Sequence, residues 1–212
     1  MRQSPGAGPM RRISDETMRH WLFHPLIFYP LAILLAAALI AISVRPQSWP
    51  REPAPAVAER DAEWIVYRGE SFNSPDAGAE QEMIVVRDFW GRAQRLRIAQ
   101  KRGELSGPRP EESGVRILLA PEEAAALAGR PLTVEVSYNP LPVNAANTLA
   151  VSLRGEGPSA WTAQAAPPQS ATLRFRLPAH ATVNAIGLRA ISPSDDQAYG
   201  LEITRIRVTP QT

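Results

Sequence analysis

Between Leu22 and Val44 the chain reads LFHPLIFYPLAILLAAALIAISV, without a single Asp, Glu, Lys or Arg. As a helix, about 23 residues at about 1.5 Å each reach about 34 Å, enough to cross a hydrocarbon core of about 30 Å. The stretch before it is too short to form a domain. The 168 residues after it include about 150 past a Pro-rich stretch, a normal size for one domain with a real core. Trp21, Phe23, Phe28 and Tyr29 crowd one end of the run and Trp49 lies past the other, the pattern of aromatic belts at two headgroup layers. Pro25 suits a first helical turn, whereas Pro30 should kink the helix or delay its start. The patch Ala36, Ala37, Ala38 and Ala41 would suit close packing on a second helix.

A cleaved signal peptide is the main rival reading. The run exceeds the usual apolar region of such peptides, and the cleavage-like Ala56-Val57-Ala58 lies too far beyond it. An uncleaved signal anchor is therefore expected. Arg2, Arg11, Arg12 and Arg19 precede it; Arg45, Arg51 and Arg60 follow. That small basic excess predicts a cytoplasmic N-terminus and a domain on the other side. The expected layout is a short cytoplasmic tail (1–21), a transmembrane helix (22–44), a Pro-rich linker (45–62) and a domain (63–212). Pro46, Pro50, Pro53 and Pro55 favour an extended, semi-rigid spacer.

The chain carries a net charge of +2 over its 212 residues, but its basic excess is N-terminal. From Glu59 onward, 17 basic residues face 18 acidic ones, so the domain is not built for nucleic acid. Cysteine is absent, which excludes disulfides, thiolate metal sites and cysteine nucleophiles.

Past Glu63 the hydrophobic period becomes two. Strands are predicted over 64–67, 83–89, 95–99 and 115–119, and a loop over about 100–113. Pro121 to Leu127, with Pro first and Gly129 just after, predicts the one short helix. Strands then follow at 132–138, 149–153, 173–177, 186–188 and 201–208, each with an apolar and a wet face. The apolar phase slips near Thr204-Arg205, predicting a bulge. Trp64 and Tyr138 are expected to be buried. Many short alternating strands separated by Pro, Gly and Asn turns predict an all-β antiparallel sandwich.

The succession GVRILL, PEEAAALAGRP, LTVEVSY, TLAVSLRG, an isolated Trp161, LRFRLPA, AIGLRA and YGLEITRIRV resembles the jelly-roll domains of carbohydrate-binding modules and their galactose-binding-like relatives. The resemblance covers about Asp88 to Pro210. It implies a jelly-roll-type sandwich and a ligand that is a sugar; such sandwiches also serve as protein-binding modules. The family often carries a structural calcium, and Asp195, Asp196 and Glu202 are the clustered carboxylates that could hold one.

After the apolar run, where His180 is the single histidine, no Gly-x-Ser-x-Gly elbow, Gly-rich phosphate loop or His-x-x-x-His pair is present, so the expectation is a non-catalytic protein without a cofactor. Two carboxylates suffice for a glycosidase and leave no local signature; that is the weaker alternative. Sugar binding needs aromatic faces beside polar groups. Trp90, Trp161 and Tyr199 are the aromatic candidates, with Arg92 and Asp195 near them in sequence. Each aromatic also has a core-packing reading. Arg154, Arg174, Arg176 and Arg189 should lie on the wet face and pair with nearby acids. The sequence thus predicts a single-pass protein of a bacterial inner membrane. Its periplasmic sandwich would recognise envelope polysaccharide or, alternatively, scaffold an integral-membrane partner.

Overall fold

A computed structural model describes residues 24–44, 52–78, 81–100, 114–157, 160–191 and 199–211. The chain divides into two units, Met1–Ser48 and Trp49–Thr212.

The first unit contributes α1 (Pro25–Val44). Its 18-residue window Pro25–Ile42 is long and apolar enough to cross a membrane, and none of that window is buried. A helix of this kind serves as a membrane anchor or as a signal sequence. Pro25 opens it, and the His24 carbonyl accepts the N–H groups of Ile27 and Phe28 at 2.8 Å. Pro at the first position gives up no intrahelical bond. Pro30 lies inside the helix. Of the three residues before the helix that were expected to be helical, 22 and 23 lie outside the described residues and His24 is not helical.

The second unit is an all-β antiparallel sandwich. Its strands are β1 (Glu59–Asp61), β2 (Trp64–Arg68), β3 (Asp76–Ala77), β4 (Gln81–Arg87), β5 (Ala93–Gln100), β6 (Val115–Leu118), β7 (Leu132–Pro140), β8 (Thr148–Arg154), β9 (Thr162–Ala165), β10 (Ala171–Leu177), β11 (Ala185–Ile191) and β12 (Gly200–Pro210). A short helix, α2 (Pro121–Leu127), has Pro at its first turn and buries Leu127. One sheet has seven strands, with β12 flanked by β7 and β10 on one side and by β2 and β5 on the other. The other runs β3-β6-β11-β8-β9.

β12 is the strand that makes the seven-stranded sheet possible. Gly200 to Ile203 pair with β5, whereas Arg205 to Val208 pair with β2. The register against β7 shifts between Ile203 and Arg205, the bulge predicted from the apolar phase. The Thr204 hydroxyl donates to the Ser137 carbonyl at 3.1 Å there. A bulge adds twist and bends the strand, and here it marks the change of partner. Between the sheets, Tyr67, Phe72, Tyr138 and Phe175 are fully buried with Leu, Ile and Val from nearly every strand.

Several expectations change. The spacer expected over 45–62 already belongs to the sandwich from Ala54 on. Ala54 N–H donates to Ser74 at 3.1 Å, the N–H of buried Ala56 donates to Leu118 at 2.8 Å, and β1 pairs with β2. Trp64 is half-buried on the sheet's outer face, with the Arg207 guanidinium 4.3 Å over its ring; Tyr138 is buried and donates to Pro167 at 2.8 Å. β8 has no wet face past its first residue: Leu149 to Arg154 are all buried. The strand β4 stops at Arg87, not Phe89, because Asp88 begins a turn. The loop expected over about 100–113 lies outside the described residues from 101 on.

Of the arginines expected on the wet face and paired with acids, Arg174 does pair with one, whereas Arg154 is buried with its guanidinium against the Trp161 ring. Glu135 accepts from Arg174 at 2.5 Å and from Arg207 at 3.3 Å. Glu202 accepts from Arg97 at 2.5 Å and Arg95 at 3.0 Å. The Arg97 hydrogen bond leads in holding the Glu202 carboxyl below its usual range, against the opposing effect of burial, with Arg95 adding to it. A carboxyl depressed in the folded state stabilises above its unfolded-state pKa and loses that contribution as pH falls through the folded one. Glu202→Gln should therefore cost about 1 kcal/mol near neutrality, discounted for the half-exposed arginines. It should also flatten the fall in stability below about pH 4.5. Urea unfolding across pH 3–7 checks both.

Candidate functional site

The turn between β4 and β5, Asp88-Phe89-Trp90-Gly91-Arg92, places two large aromatic side chains in solvent. Phe89 is 70% exposed and Trp90 72%. Their backbone is nevertheless held from several directions. Asp88 Oδ1 accepts the N–H groups of Trp90 and Arg92, each at 2.9 Å, and Asp88 Oδ2 accepts Arg92 Nε at 2.9 Å. Asp88 N–H donates to the Arg92 carbonyl at 2.9 Å, and Gly91 N–H to the Asp88 carbonyl at 3.0 Å. Gly91 has φ +82°, a conformation only glycine adopts at little cost. Arg87 clamps the turn from below, donating to Gly91 O at 3.1 Å, Asn73 Oδ1 at 2.6 Å and Asn73 O at 3.2 Å.

The two rings meet edge to face, with centroids 5.6 Å apart at 85°. The Arg92 guanidinium carbon sits 5.5 Å from the Trp90 centroid. An aromatic face with a polar arm beside it can stack on a sugar's C–H surface and hydrogen-bond its hydroxyls. Asp88 spends its oxygens on the turn itself, so it positions the platform. Arg92 binds Asp88 through Nε, and its side chain is largely exposed.

At Asp88, desolvation works to raise the carboxyl pKa, but the N–H and guanidinium of Arg92 and the N–H of Trp90 outweigh it and hold it below its usual range. By the same sign argument, the turn is held above the ordinary carboxylate pKa and loosens as the pH falls past the depressed one. Asp88→Ala should unlock the turn: ligand binding weakens several-fold while thermal stability barely moves, because the turn is exposed. Paired titration calorimetry and melting curves check this.

The sequence-predicted site residues do not converge. Trp90 and Arg92 share this turn. Trp161 is half-buried on the outer face of the five-stranded sheet, with the Arg154 guanidinium 4.8 Å from its ring centroid. Its ring edge crosses Gly187 and Gly114; a Cβ on Gly114 would lie 2.6 Å from Trp161 Cη2. That packing accounts for part of the missing wet face of β8 and its neighbours. Tyr199 is half-buried against the core. Asp195 and Asp196 lie outside the described residues. Glu202, the third member of the expected calcium group, has both carboxylate oxygens on arginines. Among the described residues, no three His, Cys, Asp or Glu side chains gather as a metal site.

Sequence reasoning missed Phe89, which it placed inside a strand, and the clamp residues Arg87 and Asn73. Asp88 followed three residues later by Gly91 is a turn signature and could have moved the strand end back. The Arg87–Asn73 contact is tertiary and leaves no sequence signal.

No protein-family model and no curated protein matches this chain. Among solved structures, it is similar to one described as "BiXyn10A CBM1 APO", with 11% identity, covering 74% of this chain and 100% of that chain, at a TM-score of 0.43. A likeness so distant says nothing about what this chain binds.

Proposed function

We propose that this protein is a single-pass, non-catalytic binding protein of a bacterial inner membrane. In this reading α1 is its anchor, the N-terminus is cytoplasmic and the sandwich is periplasmic. The sandwich binds envelope glycan through the Phe89–Trp90 turn. One observation carries the reading: two adjacent aromatics more than two-thirds exposed, on a turn whose every neighbour is bonded into place. Exposed aromatic surface costs solubility and is retained where something binds it. Rigidity lowers the ordering cost of binding.

Full-length protein in detergent, passed over immobilised oligosaccharides, tests the binding; retention that depends on Trp90 is expected. A reporter fused after Thr212 tests the topology. It should be active only outside the cytoplasm, and activity confined to the cytoplasm would reverse the orientation.

The scaffold reading rests on other residues. Ile84 and Val143 are exposed and, with Leu141, line a groove of about 250 Å³ beside Glu82 and Ile84 of β4. Co-purification of an integral partner that is lost on Ile84→Asp and Val143→Asp would favour it.

A further inference from the structure

The outer face of the seven-stranded sheet carries a hollow that shares no residue with the aromatic turn. The ladder registers build it. Glu59, Val66, Arg207 and Glu135 lie in one row across β1, β2, β12 and β7, and Arg68, Arg205 and Ser137 lie in the next. Val66 is short and buried, and it lines the hollow among longer charged neighbours. The space measures about 330 Å³, at the lower end of the sizes that take small ligands. Four arginines line it, Arg60, Arg68, Arg205 and Arg207, against two acids, Glu59 and Asp61. Glu135, beside Arg207, does not redress the balance, because it also serves Arg174. An excess of two positive charges is left in one place, on a domain whose basic and acidic residues otherwise nearly cancel.

The arginines are held unequally. Arg207 is fixed: its guanidinium lies 4.3 Å over the Trp64 ring and reaches Glu135 at 3.3 Å. Arg68 holds Glu59 at 2.5 Å, but both side chains are more than half exposed. A surface pair of that kind is weak and gives way to a stronger anion. Arg205 stands directly opposite Arg68 on the ladder. It is exposed and, among the described residues, has no hydrogen bond or ion pair. Like charges placed opposite each other destabilise a sheet. An oxyanion between them replaces that repulsion with forked, charge-assisted hydrogen bonds.

We propose that this hollow binds a phosphate dianion, free or carried as a monoester, between Arg205 and Arg68, with Arg207 as its fixed wall. A phosphate monoester carries about −1.5 to −2 at pH 7, which matches the excess charge; a single carboxylate would leave half of it unmet. The site uses no stacking on a sugar ring, so it stands or falls separately from the glycan reading of the Phe89–Trp90 turn.

Titration calorimetry on full-length protein in detergent, at constant ionic strength, tests it with inorganic phosphate, methyl phosphate and acetate. The expected result is one saturable site for phosphate and none for acetate at the same concentrations. Whichever of inorganic and methyl phosphate binds more tightly identifies the source as the free ion or an ester. Arg205→Gln should weaken that binding about tenfold, and Arg205→Lys several-fold, because lysine keeps the charge and loses the fork. Arg176→Gln removes the same charge from an exposed position on β10 outside the hollow, and should change nothing. Without ligand, Arg205→Gln should melt no lower than the parent, since it relieves a like-charge pair. A clearly lower melting temperature would show Arg205 bonded within the fold and overturn the proposal. Equal weakening by Arg176→Gln would reduce the effect to diffuse surface charge and overturn it too. So would acetate binding as tightly as phosphate, or no saturable heat with either phosphate.

Discussion

Trp90→Ala is expected to weaken glycan binding by the full-length protein about tenfold or more, with the melting temperature unchanged within error. Trp90 supplies the largest flat face on the turn and is 72% exposed. Its removal takes away a stacking surface worth about 1–2 kcal/mol, from ring stacking and the loss of the neighbouring edge-to-face contact. The fold loses little, because the turn is held through backbone groups that survive the change: Asp88 Oδ1 still accepts the N–H of residue 90, and Gly91 keeps its bond to Asp88. Trp161→Ala should behave in the opposite way. Its ring packs on Gly114 and Gly187 and under Arg154. Removing it should lower stability and leave affinity intact. A glycan titration and a melting curve on each variant separate the two tryptophans.

Phe175→Ala is expected to have the largest effect on stability, about 3–5 kcal/mol, the usual cost of emptying a core aromatic site. Phe175 is fully buried and pairs across the ladder with Val134, whose strand in turn pairs with β12. Little can collapse into the space, since its neighbours are held in register on two ladders. For a domain of this size that loss lowers the melting temperature on the order of 10 °C. Arg176→Ala, one residue on and exposed on the same strand, should stay within about 0.5 kcal/mol. Denaturant unfolding of the pair tests whether the alternation along β10 marks an inner and an outer face.

The sandwich was legible because its central strands obey a simple rule. Leu132, Val134, Val136 and Tyr138 all point inward, and so do Ile203, Ile206 and Val208 once the bulge at Thr204 is allowed for. The short edge strands were not legible. Glu59–Asp61, Asp76–Ala77 and Thr162–Ala165 contain almost nothing apolar to alternate, and their pairing is decided by neighbours far away in sequence. The two-sided burial of β8 was hidden for a related reason: the cover over its outer face includes Trp161, a residue outside the strand. Of the site, the sequence offered Trp90 and Arg92 as separate candidates. It could not show that Asp88 locks them together, or that Trp161 and Tyr199 lie elsewhere.

The most direct measurement is a nitrogen–proton spectrum of the indole groups of the five tryptophans, recorded on the full-length protein as glycan is added. A ligand seated on the β4–β5 turn must shift the Trp90 indole signal in a saturable way while those of Trp64 and Trp161 stay in place. Saturable shifts at Trp161 with Trp90 unmoved would show that the wrong surface has been assigned.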